Sequence, residues 1–289
     1  GNEPNLFFEN AKVFDAINDI AEMIHEVDPH HPATTALAGF DAKLAELIRT
    51  RAPDLDFVSI QMYGDIVNLP RYLEEARWDA PYFVTEWGAT GHWEVAKTPW
   101  GAPIEQNSSE KAASYLRSHE TAIASDPERA IGSYVFLWGQ KQERTPTWYG
   151  MFLADGAETE VIDVMHYIWN GTWPENRSPR VEGMLLADRT AQQEVVLDAG
   201  GRYPASLAVS DPDGDELEFR WEVMRESEAR QEGGDLEEVP EVLPGLLQVV
   251  GPGRVEMTAP AEAGPYRLFV YAYDGRGHAG HANIPFLVK

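Results

Sequence analysis

The amino-acid sequence predicts two architectures in succession: an α/β region over roughly the first 170 residues and an all-β region after it. Three observations carry this. Unbroken apolar runs at 56–63, 81–87 and 130–138 alternate with amphipathic stretches in the first part, the signature of strands buried on both faces in a parallel sheet covered by helices. A segment of glycine, prolines and polar residues, NGTWPENRSPR at 170–180, then reads as a linker. Beyond it, short strand-like runs separated by turn residues have the spacing of a β-sandwich.

In chain order, Val13, Ile17, Ile20, Ile24 and Val27 stand at helical spacing, and Asp28-Pro29 ends that helix. A short apolar run follows at 32–39. A second helix is expected over 41–51 with Asp41 as its N-cap. The strand at 56–63 leads to a helix near 69–77, and the strand at 81–87 to a helix over 108–125 that opens on Ser-x-x-Lys. The last strand of this kind, 130–138, is answered by a helix over 160–169. The second region offers strands at 193–197, 205–209, 217–223, 254–258 and 266–273, all expected antiparallel, with turns at 211–215 and 274–275. The Glu- and Gly-rich stretch 226–241 reads as a solvated loop. The implied domains are 1–172 and 181–289, joined by a linker at 173–180.

A chain of 289 residues with 43% hydrophobic content can bury two cores. It has no cysteine, which excludes disulfides, a thiolate nucleophile and cysteine-ligated metals. Acidic residues outnumber basic ones 48 to 23, and the net charge of −25 is spread along both regions. Such a surface repels phosphate backbones and anionic lipids, so neutral substrates are favoured over nucleic acid or membrane. No apolar run is long enough to span a bilayer and no basic leader opens the chain. The glycine at position 1 suggests a processed or truncated start. Histidines 30, 31, 278 and 281 lack partners at metal-ligand spacing, and no cofactor is expected.

Chemistry is carried by two glutamates. Glu3 lies in Asn2-Glu3-Pro4 ahead of the first helix, and Glu86 ends an apolar strand 83 residues later. Three βα units of a barrel span roughly 75 to 94 residues, so this spacing would place both carboxylates at the same rim. A facing pair suits glycosidic bond cleavage, one group protonating the leaving oxygen and the other attacking the anomeric carbon.

The stretches Gly1-Asn2-Glu3-Pro4-Asn5 and Phe83-Val84-Thr85-Glu86-Trp87-Gly88 resemble the acid/base and nucleophile motifs at the ends of strands four and seven in clan A glycoside hydrolases, with the family 2 type as the nearest flavour. The resemblance implies the C-terminal half of a (β/α)8 TIM barrel and a retaining β-glycoside hydrolase, with Glu3 as acid/base and Glu86 as nucleophile. It implies that Asn2 donates to the sugar 2-hydroxyl, that Tyr63 hydrogen-bonds the nucleophile and that Trp138 floors the subsite of the cleaved sugar. Trp87 and Trp93, beside and after Glu86, are further substrate-binding candidates; Trp100, Trp148, Tyr149 and residues 140–143 are lesser ones. The C-terminal part resembles PKD-like or immunoglobulin-like modules of secreted enzymes, which implies an extracellular or periplasmic setting.

Barrel strands one to four are not represented in this sequence, so a missing segment or second chain is expected to supply them, and the chain alone is expected to be impaired. Two other functions stay open: a carbohydrate-binding or structural surface protein without catalysis, and a transglycosylase using the same pair. Asp211, Asp213 and Asp215 alternate like the start of a calcium loop. The sixth position is Glu216 where an EF-hand needs glycine, so an Asp-rich turn is the favoured reading and a sandwich-type calcium site the lesser one.

Overall fold

The computed structural model describes residues 1–7, 10–229 and 235–289, and the chain is a mixed α/β structure with several sheets. It divides into two compact units: Gly1–Ala89 with Arg117–Phe136, and Thr90–Leu116 with Leu137–Lys289. The residues following β-strand 81–87 and the helix near 160 thus cluster with the C-terminal strands, a division that does not follow a single boundary near residue 172.

The first unit is built on a parallel sheet of β1 (Ala36–Ala38), β2 (Val58–Gln61), β3 (Tyr82–Gly88) and β4 (Ala130–Phe136), paired in sequence order. Parallel neighbours need crossover connections. Here α2 (Ala42–Arg51) joins β1 to β2, α3 (Leu69–Glu75) joins β2 to β3, and the chain between β3 and β4 carries α4 (Ser108–Ser118) with a π-helical turn at His119–Ile123. The helix α1 (Lys12–Val27) precedes β1, and Gly1–Glu3 lies beside β1 in the same direction: Asn2 bridges Ala36, and the Glu3 amide donates to the Ala36 carbonyl at 2.9 Å. Five chain segments therefore run parallel in sequence order.

Local sequence fixes the starts of α2 and α4. The Asp41 carboxylate accepts from the Leu44 amide at 2.7 Å, as an N-cap should. For α4 the expectation of a Ser-x-x-Lys start is one residue late. Asn107 accepts from the Ser109 and Glu110 amides, while Glu110 accepts from the Asn107 amide at 2.9 Å, so the cap is a reciprocal Asn-x-x-Glu box.

The second unit holds two four-stranded sheets. One orders β5 (Arg180–Leu186), β7 (Arg202–Ser210), β10 (Arg254–Thr258) and β9 (Leu247–Gly251), all antiparallel. The other orders β6 (Val195–Leu197), β12 (Ala279–Val288), β11 (Gly264–Tyr273) and β8 (Glu218–Arg225). Val223, Leu268, Ile284 and Phe286 pack with Leu186, Val255 and Met257 to form a shared core. Two sequence expectations need correcting. The runs are not all antiparallel, because β6 pairs with β12 in parallel. The strands β5, β9 and β12 escape the pattern reading, and β12 shows why: its second face is also covered, so His281 and Asn283 are buried where alternation expects solvent. Leu153 and Ala157 pack on that side against Phe269, Tyr271 and Ala279.

The helix α5 (Glu160–Asn170) belongs to this unit and ends on left-handed Gly171. Residues 230–234 of the expected solvated loop lie outside the described residues. In its described part Glu237 is buried, accepting from Ser227, Gln142 and the Arg144 amide. Among the described residues no helix is long and apolar enough to cross a membrane.

Candidate active site

Glu86 reaches its position through a β-bulge. Ile60 pairs with Val84, but the next residue of β2, Gln61, pairs with Glu86, so β3 carries one extra residue at Thr85. A bulge re-aims the side chains that follow it, and here it sets Glu86 opposite Gln61. The carboxylate is then held on both oxygens: Gln61, the last residue of β2, donates to Oε1 at 2.6 Å, and the hydroxyl of Tyr63, two residues past that strand, donates to Oε2 at 2.8 Å. Gln61 and Tyr63 are two residues apart at the end of β2, and both side chains reach Glu86. The Tyr63 ring is itself set edge-on to Phe136 at 5.8 Å.

Glu3 is placed by an unusual turn. Its backbone lies in the left-handed region at φ 47°, a conformation that L side chains seldom adopt. The turn is fastened on its far side by buried Asn5, whose side-chain amide donates to the Ala38 carbonyl at 2.6 Å and accepts from the Ala38 amide at 2.8 Å. Asn5 thus continues the pairing along β1 with its side chain while the backbone turns away into the 3-10 turn Pro4–Phe7. Partial burial, and then the charge of Glu86, push the Glu3 carboxyl above its ordinary value of 4.5. Glu86 is therefore close enough for its charge to act on Glu3. Asn2, exposed at the same end of β1, accepts from Gln61 at 2.9 Å through Oδ1.

Trp87 is fully buried with its ring 6.0 Å from that of His119, so it packs the interior and offers no face to a sugar, correcting its assignment as substrate-binding. Trp93 and Trp138 belong to the second compact unit. Trp93 is half exposed beside His92, and Trp138 stands beyond the end of β4 against Phe152 at 5.3 Å and Trp169 at 5.7 Å. Trp148 and Tyr149 are buried, with the Trp148 indole donating to the Thr90 carbonyl. Gln142 and Glu143 are buried too, engaged by Glu237 and by Lys141 with His92 respectively.

Of the three aspartates in the Asp-rich turn, Asp213 is drawn off to accept from the Arg177 amide at 2.6 Å. Asp211 and Asp215 instead converge with Asp274, their oxygens within 4.8 Å of one another. An all-oxygen set of this kind matches hard cations. Asp274 is already occupied by Asn176 and by the amides of Arg276 and His278.

Sequence reading missed Gln61 and Asn5. The signal for Gln61 was available in its two-residue spacing from Tyr63. For Asn5 there was none, because its partner Ala38 is defined only by the fold.

No protein-family model matches the chain, and no curated protein matches it. Among solved structures it aligns with a GH51 α-L-arabinofuranosidase from Thermotoga petrophila at 10% identity and TM-score 0.39, covering 95% of this chain and 62% of that one. A family 2 β-glucuronidase aligns at 10% identity and TM-score 0.26, over 95% of this chain and 41% of its own. The copper resistance protein PcoC from Escherichia coli aligns at 15% identity and TM-score 0.24, over 39% of this chain and 99% of its own. The chain thus spans less than two thirds of the length of either glycosidase.

Proposed function

We propose that this chain carries the catalytic pair of a retaining β-glycosidase, with Glu3 as general acid/base and Glu86 as nucleophile. The observation that supports it most is the asymmetry of the pair. Glu3 is pushed toward its protonated form by burial and by Glu86, while Glu86 is gripped on both oxygens by Gln61 and Tyr63. Two carboxyls with different environments take different roles.

In the first step a Glu86 oxygen attacks the anomeric carbon as the exocyclic C–O bond breaks, and Glu3 gives its proton to the departing oxygen. Esterification then removes the negative charge of Glu86. One cause of the raised Glu3 value disappears with it, so ionised Glu3 becomes the base that takes a proton from water. That water attacks the same carbon and frees Glu86. Asn2 is the donor we assign to the neighbouring sugar hydroxyl.

In fold terms we read the first unit as part of a (β/α)8 barrel and the C-terminal strands as an immunoglobulin-like module, acting outside the cytoplasm on neutral carbohydrate. The parallel order of five consecutive segments supports the barrel reading. So does β4, which pairs only with β3 among the described residues and leaves Ile131 and Tyr134 exposed.

The test is covalent trapping. The 289-residue chain is incubated with 2-deoxy-2-fluoro β-glycosides bearing activated leaving groups and mapped by peptide mass spectrometry. The reading expects one adduct, on Glu86, absent from Glu86→Gln. A lack of adduct across the panel, or an adduct on another residue, contradicts it. A second reading, carbohydrate binding without turnover, is favoured by Trp138 and Trp169, both more than half exposed and 5.7 Å apart. It expects saturable oligosaccharide binding with no adduct.

A further inference from the structure

We infer that Gln61 is a positioning residue that couples the nucleophile to recognition of the sugar hydroxyl beside the scissile bond; this rests on the glycosidase reading above. Gln61 is buried, and its single amide nitrogen donates in two directions, to Glu86 Oε1 at 2.6 Å and to Asn2 Oδ1 at 2.9 Å. Its own Oε1 is buried without a hydrogen-bond partner among the described residues. That orphan is informative. A flipped amide would turn an oxygen toward the Glu86 carboxylate and leave both acceptors without donors, so the electrostatics permit one orientation only.

The consequence passes to Asn2. Because its Oδ1 is already taken by Gln61, the Asn2 amide is fixed with its NH2 group turned away as a donor. A donor at that place selects substrates offering an acceptor, a hydroxyl oxygen, next to the anomeric carbon. Glu86 and Asn2 are otherwise 84 residues apart, on β3 and on the segment beside β1. Gln61, on the strand between them, sets both at once.

The test uses the full chain as wild type, Gln61→Met and Gln61→Glu, with aryl β-glycosides and their 2-deoxy analogues. Hydrogen bonds to charged groups carry about 10- to 100-fold in rate. In Gln61→Met, kcat is expected to fall by that order while the preference for the 2-hydroxylated substrate shrinks about tenfold. In Gln61→Glu part of the activity should return at acid pH, where the introduced carboxyl is protonated and has one hydrogen to donate, enough for one of the two bonds. A uniform fall in kcat/KM with the 2-hydroxyl preference intact, and no acid recovery, would show a merely structural role and overturn the inference. If wild type neither turns over nor labels at Glu86, the glycosidase reading fails. The positioning of Asn2 is then judged by the side-chain amide NMR signals: a shift of the Asn2 NH2 pair in Gln61→Met upholds it, and an unmoved pair overturns it.

Discussion

Glu3 is held in a left-handed backbone conformation at φ 47°, which costs a non-glycine residue on the order of 1 kcal/mol. The reciprocal clasp between Asn5 and Ala38 offsets that strain and keeps the turn in place. Removing single donors around Glu86 should be felt in rate before it is felt in folding. Tyr63→Phe leaves the ring against Phe136 and deletes only the hydroxyl, so kcat on an aryl β-glycoside should drop about tenfold or more while the melting temperature moves little. At this scale the sequence was informative where a residue type and a strand end coincide, as for Glu86 and Tyr63. It was silent where a partner is distant in sequence: the bond from Gln61 to Asn2 spans 59 positions. The aromatic candidates misled for a physical reason. Tryptophan suits a sugar face and a core equally, and the burial that separates Trp87 from Trp93 is a property of the fold.

The bulge in β3 places Glu86, and the cap of α4 fixes where that helix starts. Thr85 is the extra residue, and its hydroxyl is buried without a partner, which suits a position dictated by register and not by its own bonding. The Asn107–Glu110 box should be worth about 1 kcal/mol, so Asn107→Ala is expected to lower the urea-unfolding free energy by that amount, with Glu110→Ala giving a smaller loss. Continuous hydrophobic runs disclosed β2 and β3, which are largely buried. The same patterns disclosed β4 and α1 although Ile131 and Tyr134 of β4 and Ile20 and Val27 of α1 are exposed, and α1 buries Phe14 and Ala21 instead of the predicted stripe. β12 was illegible because its glycine, histidine, asparagine and proline lie inside a strand covered on both sides. β6 is three residues long, too short for its parallel pairing to be read from pattern.

At the scale of the whole molecule, the second unit is closed by a buried polar network that joins distant segments of that unit. Glu105 accepts from Lys111 at 2.5 Å, from Thr145 and Asn283 at 2.6 Å and from Thr147 at 2.9 Å, and Arg267 donates to Asn283 at 2.6 Å and to the Pro103 carbonyl at 2.8 Å. Burial alone would raise Glu105, but the charge of Lys111 and these bonds outweigh it and hold the carboxyl down at about 2. A carboxyl lowered in the folded state stabilises it above the unfolded value and loses that contribution as pH falls. The unfolding free energy should therefore decline from about pH 4.5 toward 2. Lys111→Met leaves Glu105 buried without its cation and should cost about 3–5 kcal/mol at neutral pH, measured by urea unfolding, while flattening that acid slope.

The first unit makes a different use of charge: Glu3, on the segment beside β1, is raised by burial and then by the charge of Glu86 on β3. The direct measurement is the titration of the Glu3 side-chain carboxyl by 13C NMR in the wild type and in Glu86→Gln. The expected result is a Glu3 pKa above 4.5 that falls when the Glu86 charge is removed, keeping only the part due to burial. An ordinary value, unmoved by Glu86→Gln, would contradict the pairing on which the proposed catalysis depends.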